Sequence, residues 1–263
     1  MPALSFANLV KEPPKMRTYY IEGLFPHSCI WIYGGPQWIG KSFFALNIAM
    51  SLANGTRFLS KYAVPKPVRV LLIDKEVGRE GLKKRLNIMN CSPDNAFALP
   101  KEEPEASGLY LDQPGTEDAL SIVIEQQKIN VVMLDPLNPF LMGDEGESSF
   151  SGAFRTIDRL MLDHKKLGLS IVIAHHFREV SVSRGDDPLD LRNFRSHGKL
   201  IDYPGLRTTL KRGIAINSQK ELWRLKARWF PRNDAAPPDD DIIVRKDFKM
   251  EVPLVNQQGF SNL

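Results

Sequence analysis

Residues 34–42 read GGPQWIGKS and stand between an apolar run, CIWIY (29–33), and a stretch rich in Ala and Leu (41–54). Gly35-x4-Gly40-Lys41-Ser42 is the spacing of a phosphate-binding loop, and its flanks are those the mechanism needs: a strand leading in and a helix whose first N–H groups face the anion. In that geometry Lys41 supplies a point charge to the β- and γ-phosphates, and the Ser42 hydroxyl is a ligand for Mg²⁺. The reading predicts ATP and Mg²⁺, with the nucleotide held by Gly35, Pro36, Gln37, Trp38, Ile39, Gly40, Lys41, Ser42 and Phe43. Only Gly35 and the Gly40-Lys41-Ser42 end are demanded by the turn. The four residues between cross over the phosphates, so Trp38 and Ile39 either narrow the mouth of the site or meet a neighbouring subunit.

A loop of this kind implies a particular frame. Short apolar β-type runs alternate with amphipathic stretches: CIWIY then 41–54, VRVLLID (68–74) then 78–89, INVVMLD (129–135) then 149–167, and LSIVIA (169–174). That alternation predicts an α/β fold around a buried parallel sheet. Phe150, Phe154, Ile157 and Met161 fall at i, i+4, i+7 and i+11, one apolar stripe facing the sheet, so these aromatics are core. After about residue 206 the style changes to LRTTLKR, ELWRLKARW and DIIVRK, β-type segments without intervening helices, which predict meander strands extending the sheet. With 263 residues, 43% hydrophobic, the chain predicts one substantial core: an N-terminal extension (1–19) that could serve as a subunit contact, a single domain (20–252) and a tail (253–263).

The same sheet edge should carry the loop's chemical partners. VVMLD ends in Asp135, the acidic group expected to hold Mg²⁺ through water. VLLIDKE ends in Asp74 and Glu76, and Glu76 is the candidate base for the attacking water. LSIVIA runs into His175-His176, where one histidine can sense the γ-phosphate while the other packs or hydrogen-bonds. A metal pair is the weaker idea, because adjacent histidines on a strand diverge. Cys29 and Cys91, the only cysteines, sit in no metal-like spacing, which predicts neither zinc nor a disulfide framework and favours a cytoplasmic setting. No stretch offers the ~20 apolar residues of a membrane span, and MPALSFANLVKEPPK lacks the regions of a signal peptide.

Taken together, YIEGLFPHSCIWIYGGPQWIGKS, LLIDKEVGREGLKKRL, VVMLDPLNPFLMGDEGESS, IVIAHHFRE, FRSHGKLIDYPGLRTTLKR and RLKARWFP resemble the RecA-like ATPases of the plasmid RepA hexameric-helicase type, which are related to the DnaB-type replicative motors. The resemblance spans roughly residues 20–232 and implies a RecA-like P-loop NTPase core, a mainly parallel sheet flanked by helices with a C-terminal antiparallel β extension. It implies that Glu76 is the catalytic glutamate and His176 the sensor of bound γ-phosphate. Lys226 and Arg228 match the family's Lys-x-Arg pair that reaches into the neighbour's site, and Arg195 is a second candidate for a trans or loop contact. A guanidinium delivered by a neighbour stabilises charge on the transferring phosphoryl group and is worth ~10³ or more in rate. The sequence departs from the family at Gln37, Trp38 and Ile39, at Glu179, and at Ser196-His197.

The resemblance also implies a homo-oligomeric ring, a hexamer in that family, acting as a DNA helicase or translocase on single-stranded DNA, with loading left to another protein. The residues themselves speak less clearly for nucleic acid. The net charge of +4 matters only if clustered, and the loop at 137–149 carries Asp144, Glu145 and Glu147 without a basic residue. The loop at 177–194 offsets Arg178, Arg184 and Arg192 with acids, while the denser basic and aromatic cluster at 211–232 suits DNA or a subunit interface equally. A RecA-like recombinase or regulatory ATPase that switches partner or DNA binding without unwinding is therefore the alternative.

Overall fold

The computed structural model describes residues 5–12, 17–35, 40–59, 61–89, 92–143 and 147–176, and the backbone of 205–214, 221–230 and 240–246. After a short helix (α1, Phe6–Lys11), two small strands (β1, Tyr19–Ile21; β2, Phe25–Pro26) form an antiparallel pair. The main sheet then takes shape from β3 (Ile30–Gly35), β4 (Val70–Asp74), β5 (Ala96–Pro100), β6 (Val131–Asp135), β7 (Ser170–His176), β8 (Gly205–Ile214), β9 (Glu221–Phe230) and β10 (Asp240–Lys246). Their spatial order is β10-β9-β8-β3-β7-β6-β4-β5.

The strands from β8 to β5 run parallel, while β9 and β10 are antiparallel additions. The run LRTTLKR, expected as the first meander strand, therefore belongs to the parallel sheet on its β3 side and opens the meander only on its β9 side. The chain passes from β3 to β4 by skipping the places later taken by β7 and β6. Ligands of open α/β sheets collect outside the strands' carboxyl ends at such a switch point.

Both faces of the sheet are covered, which explains why its strands read as continuous apolar runs. Trp31, Tyr33, Leu72, Met133 and Val172 face one layer, with Phe44 and Ile48 of α2 (Lys41–Asn54) and Leu82 of α3 (Gly78–Met89). Ile30, Ile32, Ile73, Leu134 and Ile173 face the other, with Leu120 and Ile124 of α5 (Thr116–Gln127) and Phe150, Phe154, Ile157 and Leu160 of α6 (Glu147–Asp163). The expected stripe on α6 is thus core, with Met161 at its margin. Burial of side chains of this size stabilises by about 1.5–3 kcal/mol each.

The sequence reading passed over β5, a short helix α4 (Pro104–Ser107) and α5. AFALP has no β-branched residue and ends in proline, so local propensity gives it little signal. It becomes a strand because its backbone pairs with β4 from Val70↔Ala96 to Asp74↔Pro100.

Candidate active site

Parallel register brings the expected residues to one edge. Gly35 lies opposite His176 on neighbouring strands, and Asp74 lies opposite Asp135. α2 starts directly after Gly40, whose φ of 93° lies in the left-handed region that glycine alone adopts without strain. The turn aims the helix N-terminus at the loop, and Gly40 O accepts the first helical bond, from Phe44 N, at 3.0 Å. Lys41 is buried, and its Nζ donates to Gly35 O at 3.2 Å, closing the loop's two ends on each other. Burial lowers the Lys41 pKa, while the carboxylates of Asp135 and Glu76 act in the opposite direction. Pro36, Gln37, Trp38 and Ile39 lie outside the described residues.

Asp135 is 4% exposed, and its pKa is raised to about 7. Desolvation is the main cause and the neighbouring Asp74 the second, partly offset by a hydrogen bond with the Ser42 side chain. A buried carboxylate joined to a hydroxyl, beside a second buried carboxylate, is a hard oxygen set in electrostatic need of a cation. Ser42 and Asp135 thus fit the expected Mg²⁺. Among the described residues no group of three or more His, Cys, Asp or Glu could hold a metal ion.

The structure gives Asp74 a role that the sequence left unassigned. The Asp74 Oδ1 accepts from Glu76 N at 2.9 Å and Val77 N at 2.8 Å, so this carboxylate is spent on the turn. Glu76 is exposed, but its main chain is held again by Lys101 Nζ, which donates to Glu76 O at 2.8 Å. Its charge is felt by both Lys41 and Asp135. Glu76 is thus a solvent-facing carboxylate on a backbone held at two points, within electrostatic reach of Lys41 and Asp135.

Arg85 on α3 is a residue the sequence reading missed. Its guanidinium lies 5.7 Å from the centre of the Phe43 ring, its charge lowers the Asp135 pKa, and its buried Nη1 has no hydrogen-bond partner among the described residues. α3 carries Arg79, Lys83, Lys84 and Arg85, and nothing in their spacing tells which of them turns toward α2. His175 is fully buried, edge-on to Phe150 with ring centres 6.1 Å apart, whereas His176 is only partly buried and lies beside Gly35. Position thus favours His176 at the loop.

In β9, Lys226 is registered with Thr209, itself opposite Gly34, while Arg228 is registered with Arg207, opposite Ile32. Arg195 and the 177–194 loop lie outside the described residues. No helix among the described residues is long and apolar enough to cross a membrane.

Comparison with known proteins bears on the fold and the family. The chain is similar in fold to a KaiC-like protein of the hyperthermophilic archaeon Pyrococcus horikoshii, with a TM-score of 0.54 and 11% identity over 89% of this chain and 100% of that one. No curated protein gives a significant match. The family model described as AAA domain matches residues 1–182, more than half of the chain. With its Gly-Lys-Ser phosphate-loop motif, the hydrogen bond between Ser42 and the buried Asp135, and its RecA-like sheet order, the chain belongs to the AAA domain family and is a P-loop ATPase.

Proposed function

We propose that this ATPase is the subunit of a homo-oligomeric ring, a hexamer, that works on single-stranded DNA as a helicase or translocase in the replication of a plasmid, phage or other mobile element. The observation that carries the hydrolytic part is Glu76: an exposed carboxylate on a clamped backbone, within electrostatic reach of Lys41 and Asp135. Glu76 takes a proton from the attacking water as its oxygen bonds to the γ-phosphorus, and the bond to the ADP oxygen breaks. Lys41 and the α2 N-terminus stabilise charge on the phosphates, and Arg85 adds a cation from the same chain. His176 reads whether the γ-phosphate is present. Ser42 and Asp135 would hold the Mg²⁺, which would supply positive charge to the nucleotide's phosphates. Lys226 and Arg228, with Arg195, are assigned to the neighbouring subunit's site, which makes turnover depend on assembly.

The nucleic-acid part rests on the family resemblance, and one observation favours the alternative of a regulatory ATPase. The described part of the first loop, 137–143, has no basic residue, and Asp112 takes its backbone donors: Oδ1 accepts from Met142 N at 3.0 Å and Oδ2 from Gly143 N at 3.5 Å. That is a poor surface for a phosphate backbone. The deciding experiment is ATP hydrolysis by wild type and Glu76→Gln over a protein-concentration series, with and without single-stranded DNA. The substitution lowers kcat by about 10²–10⁴-fold with nucleotide binding retained, the range of general-base loss. Turnover that rises with concentration and with DNA supports the motor. Turnover indifferent to DNA transfers the assignment to the partner-switching ATPase.

A further inference from the structure

Lys75, between Asp74 and Glu76, is not solvated as a lysine at a strand end usually is. Its Nζ donates to Leu109 O at 2.6 Å and to Pro139 O at 3.0 Å, using two of its three donors. The ammonium also lies 4.3 Å from the centre of the Tyr110 ring and 4.9 Å from that of Phe140, within cation–π range of both. Partial burial lowers its pKa, in keeping with a charge half withdrawn from water against carbonyls and ring faces.

Three segments meet at this ammonium: the end of β4, the stretch after α4 that contains Leu109 and Tyr110, and the 3-10 turn Asn138–Phe140 that opens the loop after β6. The second and third are joined to each other, since Leu111 N donates to Phe140 O at 2.7 Å and Met142 N to Asp112. Asp74 and Lys101 fix the main chain of Glu76 from the β4 turn and from the end of β5. Lys75 adds a tie from the adjacent residue to the loop.

We propose that Lys75 is a positioning residue that couples the water-activating carboxylate to the 137–143 loop. The ammonium holds the Lys75–Glu76 main chain against that loop, so a ligand or partner that moves the loop changes the placement of the Glu76 carboxylate and the hydrolysis rate. This rests on the reading of Glu76 as the base.

The test uses the full chain and compares wild type, Lys75→Met, Lys75→Arg and Glu76→Gln for ATP hydrolysis, nucleotide affinity and amide hydrogen exchange. Lys75→Met keeps the stem and loses the charge. It lowers kcat about tenfold or more while the ATP Kd stays within about twofold, since displacing a catalytic group by ~1 Å can cost ~10²-fold without touching ground-state binding. Exchange quickens in 137–143, and Lys75→Arg, which restores a cation with donors, recovers most of the rate. Wild-type kcat in Lys75→Met, equal losses of kcat and affinity with faster exchange throughout the chain, or no recovery in Lys75→Arg overturns the proposal.

Glu76→Gln at the wild-type rate overturns the base assignment itself, whereas inactive Glu76→Gln beside fully active Lys75→Met overturns the coupling alone. If Lys75→Met does not fold, Tyr110→Leu decides: it removes one ring of the cage, and about a threefold fall in kcat at unchanged Kd is expected, while an unchanged kcat overturns the proposal.

Discussion

β4 and β6 end alike and behave differently. Asp74 and Asp135 face each other across adjacent parallel strands, and they are 2% and 4% exposed. Asp74 is satisfied by two backbone N–H groups, a role that any buried acceptor of the right shape could fill. Asp135 shares a hydrogen bond with Ser42 and is otherwise held in a site that disfavours its charge. The difference teaches that an acid at a strand end becomes a candidate functional group through what the fold withholds from it: one carboxylate is completed by the protein's own N–H groups, the other is left in a site that disfavours its charge.

The sharpest break of this comparison is Asp135→Asn. It should lower ATP hydrolysis by about a hundredfold or more, since the cation's protein ligand set loses its charge. The same substitution should raise stability in nucleotide- and Mg²⁺-free solution at pH 8, by on the order of 1–3 kcal/mol. The sign follows from the raised pKa. Between the ordinary carboxylate value of 3.8 and about 7 the native state binds a proton that the unfolded state has released, so this group's contribution to stability falls as pH rises through that window. The full penalty is present above about pH 7. Denaturant unfolding of wild type and variant at pH 4.5, 6 and 8 checks it: the stability difference should grow with pH, and a constant difference refutes the account.

Asp74 should respond in the opposite way. Asp74→Ala leaves Glu76 N and Val77 N without their acceptor and should cost about 1–3 kcal/mol, with a lower kcat because the base has lost its turn. Asp74→Asn keeps the side-chain carbonyl, so it should retain most of the wild-type stability. Equal losses in both variants, read by unfolding midpoint and kcat, would show that Asp74 matters as a charge and would erase the contrast with Asp135.

The smallest expected effect lies just beyond the turn, at Gly78. Its φ is +79°, and an added Cβ would lie 2.1 Å from Glu102 Oε1, part of the carboxylate that accepts from Arg79 N at the start of α3. Gly78→Ala should destabilise by about 1–2 kcal/mol, from the left-handed backbone and the displaced carboxylate, with nucleotide affinity little changed. A stability unchanged within ~0.5 kcal/mol would mean that the turn relaxes freely, and that Glu76 is held less firmly than its hydrogen bonds imply.

Much of the site was legible because its signals are local. Gly40, Lys41 and Ser42 are adjacent in the chain, an apolar run ending in Asp135 announces a buried strand, and the α6 stripe repeats at helical spacing. The rest was not legible for a physical reason: it depends on which distant groups pack together. Asp74 and Glu76 are two residues apart and chemically alike, and nothing in the sequence signals that Asp74 caps the turn that carries the candidate base. The residue types alone do not separate His175 from His176, and it is Phe150 on α6 that packs edge-on against the buried first one. Arg85 stands out from its basic neighbours only through the approach of α3 to Phe43. Lys75, which reads as one more charge beside the acids, owes its cage to carbonyls more than thirty residues away.

By itself, then, the sequence determined the element pattern of a parallel α/β sheet and the phosphate loop, because hydrophobic period and loop geometry are written in consecutive residues. Tertiary structure alone decided the order in which the strands lie side by side, the place of β5 at the edge, the capping of the β4 turn by Asp74 and the burial of Asp135. Register, burial and the electrostatics of close approach arise only when remote segments share one edge, and those quantities set what a carboxylate or an ammonium can do.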